Sequence, residues 1–164
     1  VVDIKLGKEI QNVFIAPNPI EVLIDRLRKR LFVSYNHLPS LKDSIGGIVM
    51  FDVENLKVLN SWRIQNKGLF LDDETGEIYF TSKDKIAKIN PNNGKIDVVV
   101  SNTKSTEIWY SVAYDNKKKI LLIGNAKNYT VEGEVIIFEY FNSNFNFVKS
   151  VSVGLNPTEI VIKQ

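Results

Sequence analysis

The sequence predicts an all-β chain of four-stranded antiparallel repeats, and three observations carry that prediction. Short apolar runs of four to six residues, rich in Val, Ile, Phe and Tyr, recur along the chain and are split by Asn, Asp, Gly and Lys. No window of a dozen residues holds the helical period of 3.6. Val22–Arg30 could be forced into one, but strand-like runs on both sides oppose it. The runs also repeat as units: aligning their first strands puts Asp25 over Asp72 and Asp115, spacings of 47 and 43 residues. Four strands in about 40–45 residues is the period of a β-propeller blade.

Taken in order, Val1–Gly7 reads as a lone fourth strand. The first unit then runs through Pro19–Asp25, Leu31–Asn36, Gly47–Asp52 and Lys57–Trp62. The second has Gly68–Asp72, Glu77–Thr81, Lys85–Asn90 and Lys95–Val99, and the third Ser111–Asp115, Ile120–Asn125, Gly133–Glu139 and Phe145–Val151. The blades therefore span about 18–65, 66–103 and 106–154, with orphan strands at 1–7 and 156–163. Turn chemistry supports the divisions. Asn90-Pro91-Asn92-Asn93-Gly94 supplies Asn-Gly where the third and fourth strands of the second unit need a tight turn. Asp72–Gly76 and Asp115–Lys117 serve between first and second strands. Phe32, Phe51, Phe70, Tyr79, Phe80 and Phe138 fall at strand positions and are expected to fill the seams between blades.

That makes one domain of about three and a half blades, whereas propellers close with four to eight. Three arrangements stay open. The chain is part of a larger ring, or it closes as a small four-bladed form with Asn12–Ala16 adding a strand (or stays an open array). Alternatively, two copies pair through exposed edge strands. The start at Val1, without Met or a leader-like apolar region, suggests a processed protein or a piece of a longer one.

Composition narrows the chemistry. The chain of 164 residues is 44% hydrophobic, too apolar for a disordered segment. With no Cys, thiolate nucleophiles and Cys-ligated metals are excluded, and one His excludes a multi-histidine metal cluster. A net charge of +2 gives no field suited to nucleic acid, and no run approaches the 18 apolar residues of a membrane-spanning helix. Two basic turns, Arg26–Arg30 and Lys117–Lys119, align in the repeat, but the acidic turn Asp72–Glu77 falls between them, so they read as solvated charges. One glycosylation sequon is present, Asn128-Tyr129-Thr130.

The pattern Pro-x-x-Val-x-Ile-Asp, Leu-Phe-Val-Ser-Tyr-Asn and Ile-Val-Met-Phe-Asp within Pro19–Trp62 resembles the YVTN-type repeat of bacterial and archaeal surface propellers. It is also similar to NHL and lactonase-like blades. Val151–Ile162 resembles the junction from fourth to first strand in the same family. The resemblance implies an extracellular or cell-surface location and a protein or cell-surface partner.

Candidate site residues follow from the blade geometry, in which first strands line a channel and the second-to-third and fourth-to-first connections share one face. Glu21 and Glu159, each two residues after a Pro, sit at channel entries, with Gly68 and Ser111 at the matched positions. Length variation concentrates in the loops His37–Gly46 and Ala126–Glu132, which marks their face as decorated. His37, Asp43, Asn125, Asn128 and Glu132 are its binding candidates. Ser34, Ser40 and Ser44 lie near His37 in sequence, but no nucleophile-elbow motif exists, so no catalytic residue is assigned. The expectation is a non-enzymatic binding or structural module without a cofactor. The alternative, implied by the lactonase-like resemblance, is a metal-dependent hydrolase holding Ca or Mg at Glu21 and Glu159.

Overall fold

The computed structural model describes residues 2–3, 5–9, 12–15, 18–36, 45–82, 84–102 and 107–162. A small hairpin pairs β1 (Val2–Asp3) with β2 (Lys8–Glu9). Three four-stranded antiparallel sheets follow. The first holds β3 (Pro19–Asp25), β4 (Arg30–Tyr35), β5 (Gly47–Asp52) and β6 (Val58–Arg63). The second holds β7 (Leu69–Leu71), β8 (Ile78–Ser82), β9 (Lys85–Ile89) and β10 (Ile96–Ser101). The third holds β11 (Trp109–Asp115), β12 (Ile120–Asn125), β13 (Glu134–Phe141) and β14 (Asn144–Ser152). Within each sheet every strand pairs with its neighbour in sequence, and the first strands β3, β7 and β11 meet side by side. These are propeller blades, stacked in chain order around their inner strands.

The repeated Asp explains why each first strand stops where it does. The Asp25 carboxylate accepts the Arg28 N–H at 3.0 Å, Asp72 accepts the Glu74 N–H at 3.0 Å, and Asp115 accepts the Lys118 N–H at 3.0 Å. A short acidic side chain that bonds its own backbone two or three residues on reverses the chain. Four residues after each Asp the backbone enters the left-handed region, at Lys29 (φ 53°), Gly76 (φ 76°) and Lys119 (φ 57°). Only the middle turn uses the residue for which that conformation carries no steric cost.

Seam packing follows from strand alternation, which sends successive side chains to opposite faces. In β8, Ile78 and Phe80 face the first blade, where they meet Phe32, Ile48, Met50 and Trp62. Tyr79 faces the third blade and joins Trp109, Val112, Tyr114, Leu121, Ile123 and Ile136. The outer face of the first blade carries Val33, Val49 and Phe51, covered by Val13 and Ile15. Residues 12–15 therefore add apolar cover and no strand. Toward the channel that cover ends, leaving Ile20, Val22 and Ile24 of β3 exposed.

The first basic turn differs from its reading as solvated charge. The Arg28 guanidinium reaches across the seam to the Asp73 and Glu74 carbonyls at 3.3 and 2.8 Å while contacting the Asp25 carboxylate at 3.3 Å. Arg30 donates to the Asn92 side chain at 2.6 Å. The arginines tie the first blade to the second. Among the described residues no further blade packs on the Lys117–Lys119 turn, and Lys118 and Lys119 bond locally to Asp115 and Asn116. The expected orphan strands also differ in form. Residues 2–3 pair with 8–9 as a hairpin with Gly7 (φ 61°) in its turn, and 157–162 runs along β11 without a ladder of its own.

Candidate functional site

The inner strands surround a cavity of about 460 Å³ lined by residues 21–23 of β3, 68–70 with β7, 111 and 112 of β11, and 158–160. Glu21, Gly68, Ser111 and Glu159, matched in the repeat, all line it. Their contacts show what the position does. The Glu21 carboxylate accepts the Leu69 N–H at 2.8 Å, joining the first inner strand to the second. At Gly68, a Cβ would stand 2.8 Å from the Tyr110 carbonyl oxygen, so the second inner strand meets the third backbone to backbone. Ser111 Oγ donates to the Pro157 carbonyl at 2.8 Å, carrying the series on to the last segment. Glu159 ends the series and is exposed.

Glu21 is half-buried, and burial of its carboxyl raises its pKa. The Leu69 hydrogen bond works against that rise, and the charge of Glu159 across the cavity adds to it. A carboxyl raised in the fold stabilises the native state through its protonated form. That contribution is complete below the unfolded-state value and is lost as pH climbs through the folded one. Glu21→Gln keeps an oxygen for Leu69 and removes the charge. It is expected to flatten the pH dependence of thermal stability just above the ordinary glutamate range and to add less than about 1 kcal/mol at neutral pH. Melting followed by circular dichroism across that range checks both effects.

The loop after β12 forms the rim and is tightly held. Asn125 is fully buried: its amide donates to Glu107 and Glu134 at 2.9 and 3.0 Å, and its oxygen accepts the Lys127 N–H at 2.9 Å. It braces the loop from beneath and is not presented to solvent. Lys67 donates to the Tyr129 hydroxyl at 2.5 Å and lies 5.2 Å from the ring centroids of both Tyr129 and Tyr110, which pack edge to face. Asn128 is exposed, with its oxygen accepting the Thr130 N–H and hydroxyl at 3.1 and 2.8 Å. Glu132 is exposed and accepts the Ser152 hydroxyl at 3.1 Å. The face so presented carries Asn128, Thr130, Val131 and Glu132.

His37 and Asp43 lie outside the described residues, as do Ser40 and Ser44. Ser34 is buried, and its hydroxyl accepts the Glu21 N–H at 3.2 Å, a strand-pairing role. Among the described residues no group of three or more acidic or His side chains converges as a metal ligand set. The Lys67–Tyr129 latch escapes sequence reasoning. The one available signal is that two aromatic residues and a lysine stand at blade junctions, which fixes no contact.

No family model matches the chain, and no curated protein sequence matches it. Solved structures do. The extracellular domain of a proposed one-component system from Bacteroides thetaiotaomicron superposes with a TM-score of 0.62 at 13% identity, over 88% of this chain and 19% of that one. A chain of the nidogen/laminin complex gives 0.59 at 12% identity, over 84% and 50%. A gluconolactonase from Xanthomonas campestris gives 0.51 at 13% identity, over 71% and 38%. This chain spans half or less of each of these, and at such identities the likeness is one of fold. Fold and cavity together define an all-β array of β-propeller blades.

Proposed function

We propose that the chain is a non-enzymatic recognition module of the YVTN or NHL kind, whose rim of second-to-third strand loops meets a protein partner at the cell surface. The observation that carries this reading is the latched loop 126–132. Its exposed residues stand on a rigid support, so binding would cost little ordering of the loop. Exposed loops on such a scaffold are where contacts with partners concentrate. Two similar folds, an extracellular domain and a chain of the nidogen/laminin complex, agree with this setting.

The test places a photo-cross-linking residue at Asn128 or Glu132, with a control at Lys117 on the opposite face, in extract from the native source. One recurrent adduct from the rim positions alone is the expected result. Equal labelling from Lys117, or none from the rim, would overturn the reading.

The second reading is the metal-dependent hydrolase, favoured by the facing of Glu21 and Glu159 across one cavity. Glu21 already accepts a backbone N–H and Ser111 donates to Pro157, so waters would have to complete the shell of six to eight oxygens that calcium takes. Calorimetric titration with Ca²⁺, Mg²⁺ and Mn²⁺ separates the readings: saturable heat lost in Glu21→Gln would favour the hydrolase.

A further inference from the structure

The repeat register assigns each residue of an inner strand to one seam. Val22, Leu69 and Val112 are matched, as are Ile24, Leu71 and Tyr114, and these positions turn toward the preceding blade. Leu69 joins the first seam with Leu71 packed against it, and Val112 and Tyr114 join the second. Leu23, Phe70 and Ala113 alternate with them and turn toward the following blade, so Leu23 packs in the first seam and Phe70 in the second. Glu159 matches Glu21, so Ile160 and Ile162 turn back toward β11 and Val161 stands where Leu23 and Phe70 stand. Burial agrees: Ile160 and Ile162 are half-buried, Ala113 is fully buried, and Val161 is 80% exposed.

Two faces are therefore built as halves of a seam and lack the other half among the described residues. One carries Val22, 59% exposed, and Ile24, 51% exposed; the other carries Val161. An array of repeats that stands alone needs polar end faces, and these are apolar. We propose that a second copy of this chain covers both, head to tail. Val161 of each copy packs against Val22 and Ile24 of the other, and the pair closes a ring.

Three observations name this occupant. First, the chain carries both halves of the contact, and joining them continues the seams already present: Leu23 packs with Leu69 and Leu71 inside the chain, and Val161 with Val22 and Ile24 repeats that set. Second, the Glu21 carboxylate accepts the Leu69 N–H at 2.8 Å. Its matched residue Glu159 is exposed, and Val22 matches Leu69, so the same bond runs from copy to copy. Third, β3, β7, β11 and residues 157–162 are four inner segments, so two copies bring eight, within the four to eight blades at which propellers close. Three copies overshoot that range. A contact between unlike faces gives a closed ring only when the rotation closes.

The outer part of each shared blade comes from the other copy. Residues 12–15 lie on the outward face of the first blade, with Val13 and Ile15 turned to it and Phe14 87% exposed. On the third blade, Leu122 and Ile137 alternate with the residues of the second seam and are half-buried on its outward side. In the ring, 157–162 of one copy is the inner strand of the shared blade. Residues 12–15 of the other copy are its outer layer, with Phe14 against Leu122 and Ile137.

The experiment is sedimentation velocity of the full chain over a range of concentrations. A species of twice the 18.7 kDa chain mass is the expected result. Val22→Lys and Val161→Glu stand at exposed positions and should keep a native circular dichroism spectrum. Each is expected to weaken association at least about tenfold, because charge enters the centre of both contacts of the ring. Mixing the two variants restores the dimer, since one contact then pairs opposite charges and the other is unaltered. The chain has no Cys, so Val22→Cys and Val161→Cys report on the same contact. Mixed under a mild oxidant they give a covalent dimer, and neither does so alone. A monomer at every concentration, an open series of larger species, a dimer indifferent to both charged variants, or a mixture that fails to re-form it would each overturn the proposal. So would a disulfide formed within one chain that carries both cysteines, which would show that the chain closes on itself.

Discussion

Replacing Phe32 with alanine is expected to cost about 3–5 kcal/mol, the range for emptying a fully buried aromatic site. Phe32 is 0% exposed in the first seam, packed with Ile48, Met50 and Trp62 from its own blade and Leu69, Ile78 and Phe80 from the next. Few of these neighbours can relax into the void, because both sheets are held by ladders on either side. The loss also falls on an interface, so the second blade is weakened along with the first. Phe147, 62% exposed on β14, is the internal comparison and should cost under about 1 kcal/mol for the same change. Urea unfolding gives both values, and a lowered midpoint at unchanged slope would assign the effect to stability.

Asn125→Ala is expected to cost about 2–4 kcal/mol, although it removes no apolar contact of any size. The side chain is fully buried and donates to two carboxylates at once, Glu107 and Glu134, while accepting the Lys127 N–H. Hydrogen bonds to charged acceptors are worth more than neutral ones, and the groups left behind remain partly out of water. Asn125→Asp should be worse near neutral pH, since it places a third carboxylate between two others. Acidification that protonates the cluster should recover part of the loss. Thermal melts of both variants at neutral and mildly acidic pH decide this, and equal stability of the two near neutrality would show that charge crowding is absent.

The repeat was legible in the sequence because it rests on local chemistry. An Asp that closes a turn through its own backbone leaves the same mark at 25, 72 and 115 wherever the blade lies in space. The gathering of Glu21, Gly68, Ser111 and Glu159 around one cavity followed from that register alone. Polar contacts between blades were not legible. Nothing in a row of Arg and Lys distinguishes Arg28, which reaches the carbonyls of Asp73 and Glu74, from Lys117, which is exposed at an equivalent turn. The difference is whether, among the described residues, another blade packs against the turn. Asn125 likewise reads as an exposed loop amide, because its partners Glu107 and Glu134 come from either side of it in sequence and meet only in the folded sheet. The first orphan segment misled for a related reason. A strand-like sequence at 1–7 needs a neighbour's ladder, and in its absence the chain closed on itself at Gly7.

The pairing of consecutive strands has a kinetic consequence. Each blade is a meander in which no ladder waits for a distant part of the chain, so the entropy of loop closure is met in short instalments. Short closures of this kind favour rapid pairing of neighbouring strands. The blades should therefore form quickly as separate units, and the slower event should be their docking, when Phe32, Tyr79 and Trp109 leave water together. For a ribosome emitting the chain from its N-terminus, the first sheet can be complete before the second has been synthesised. Each later blade then finds a finished apolar wall waiting for it.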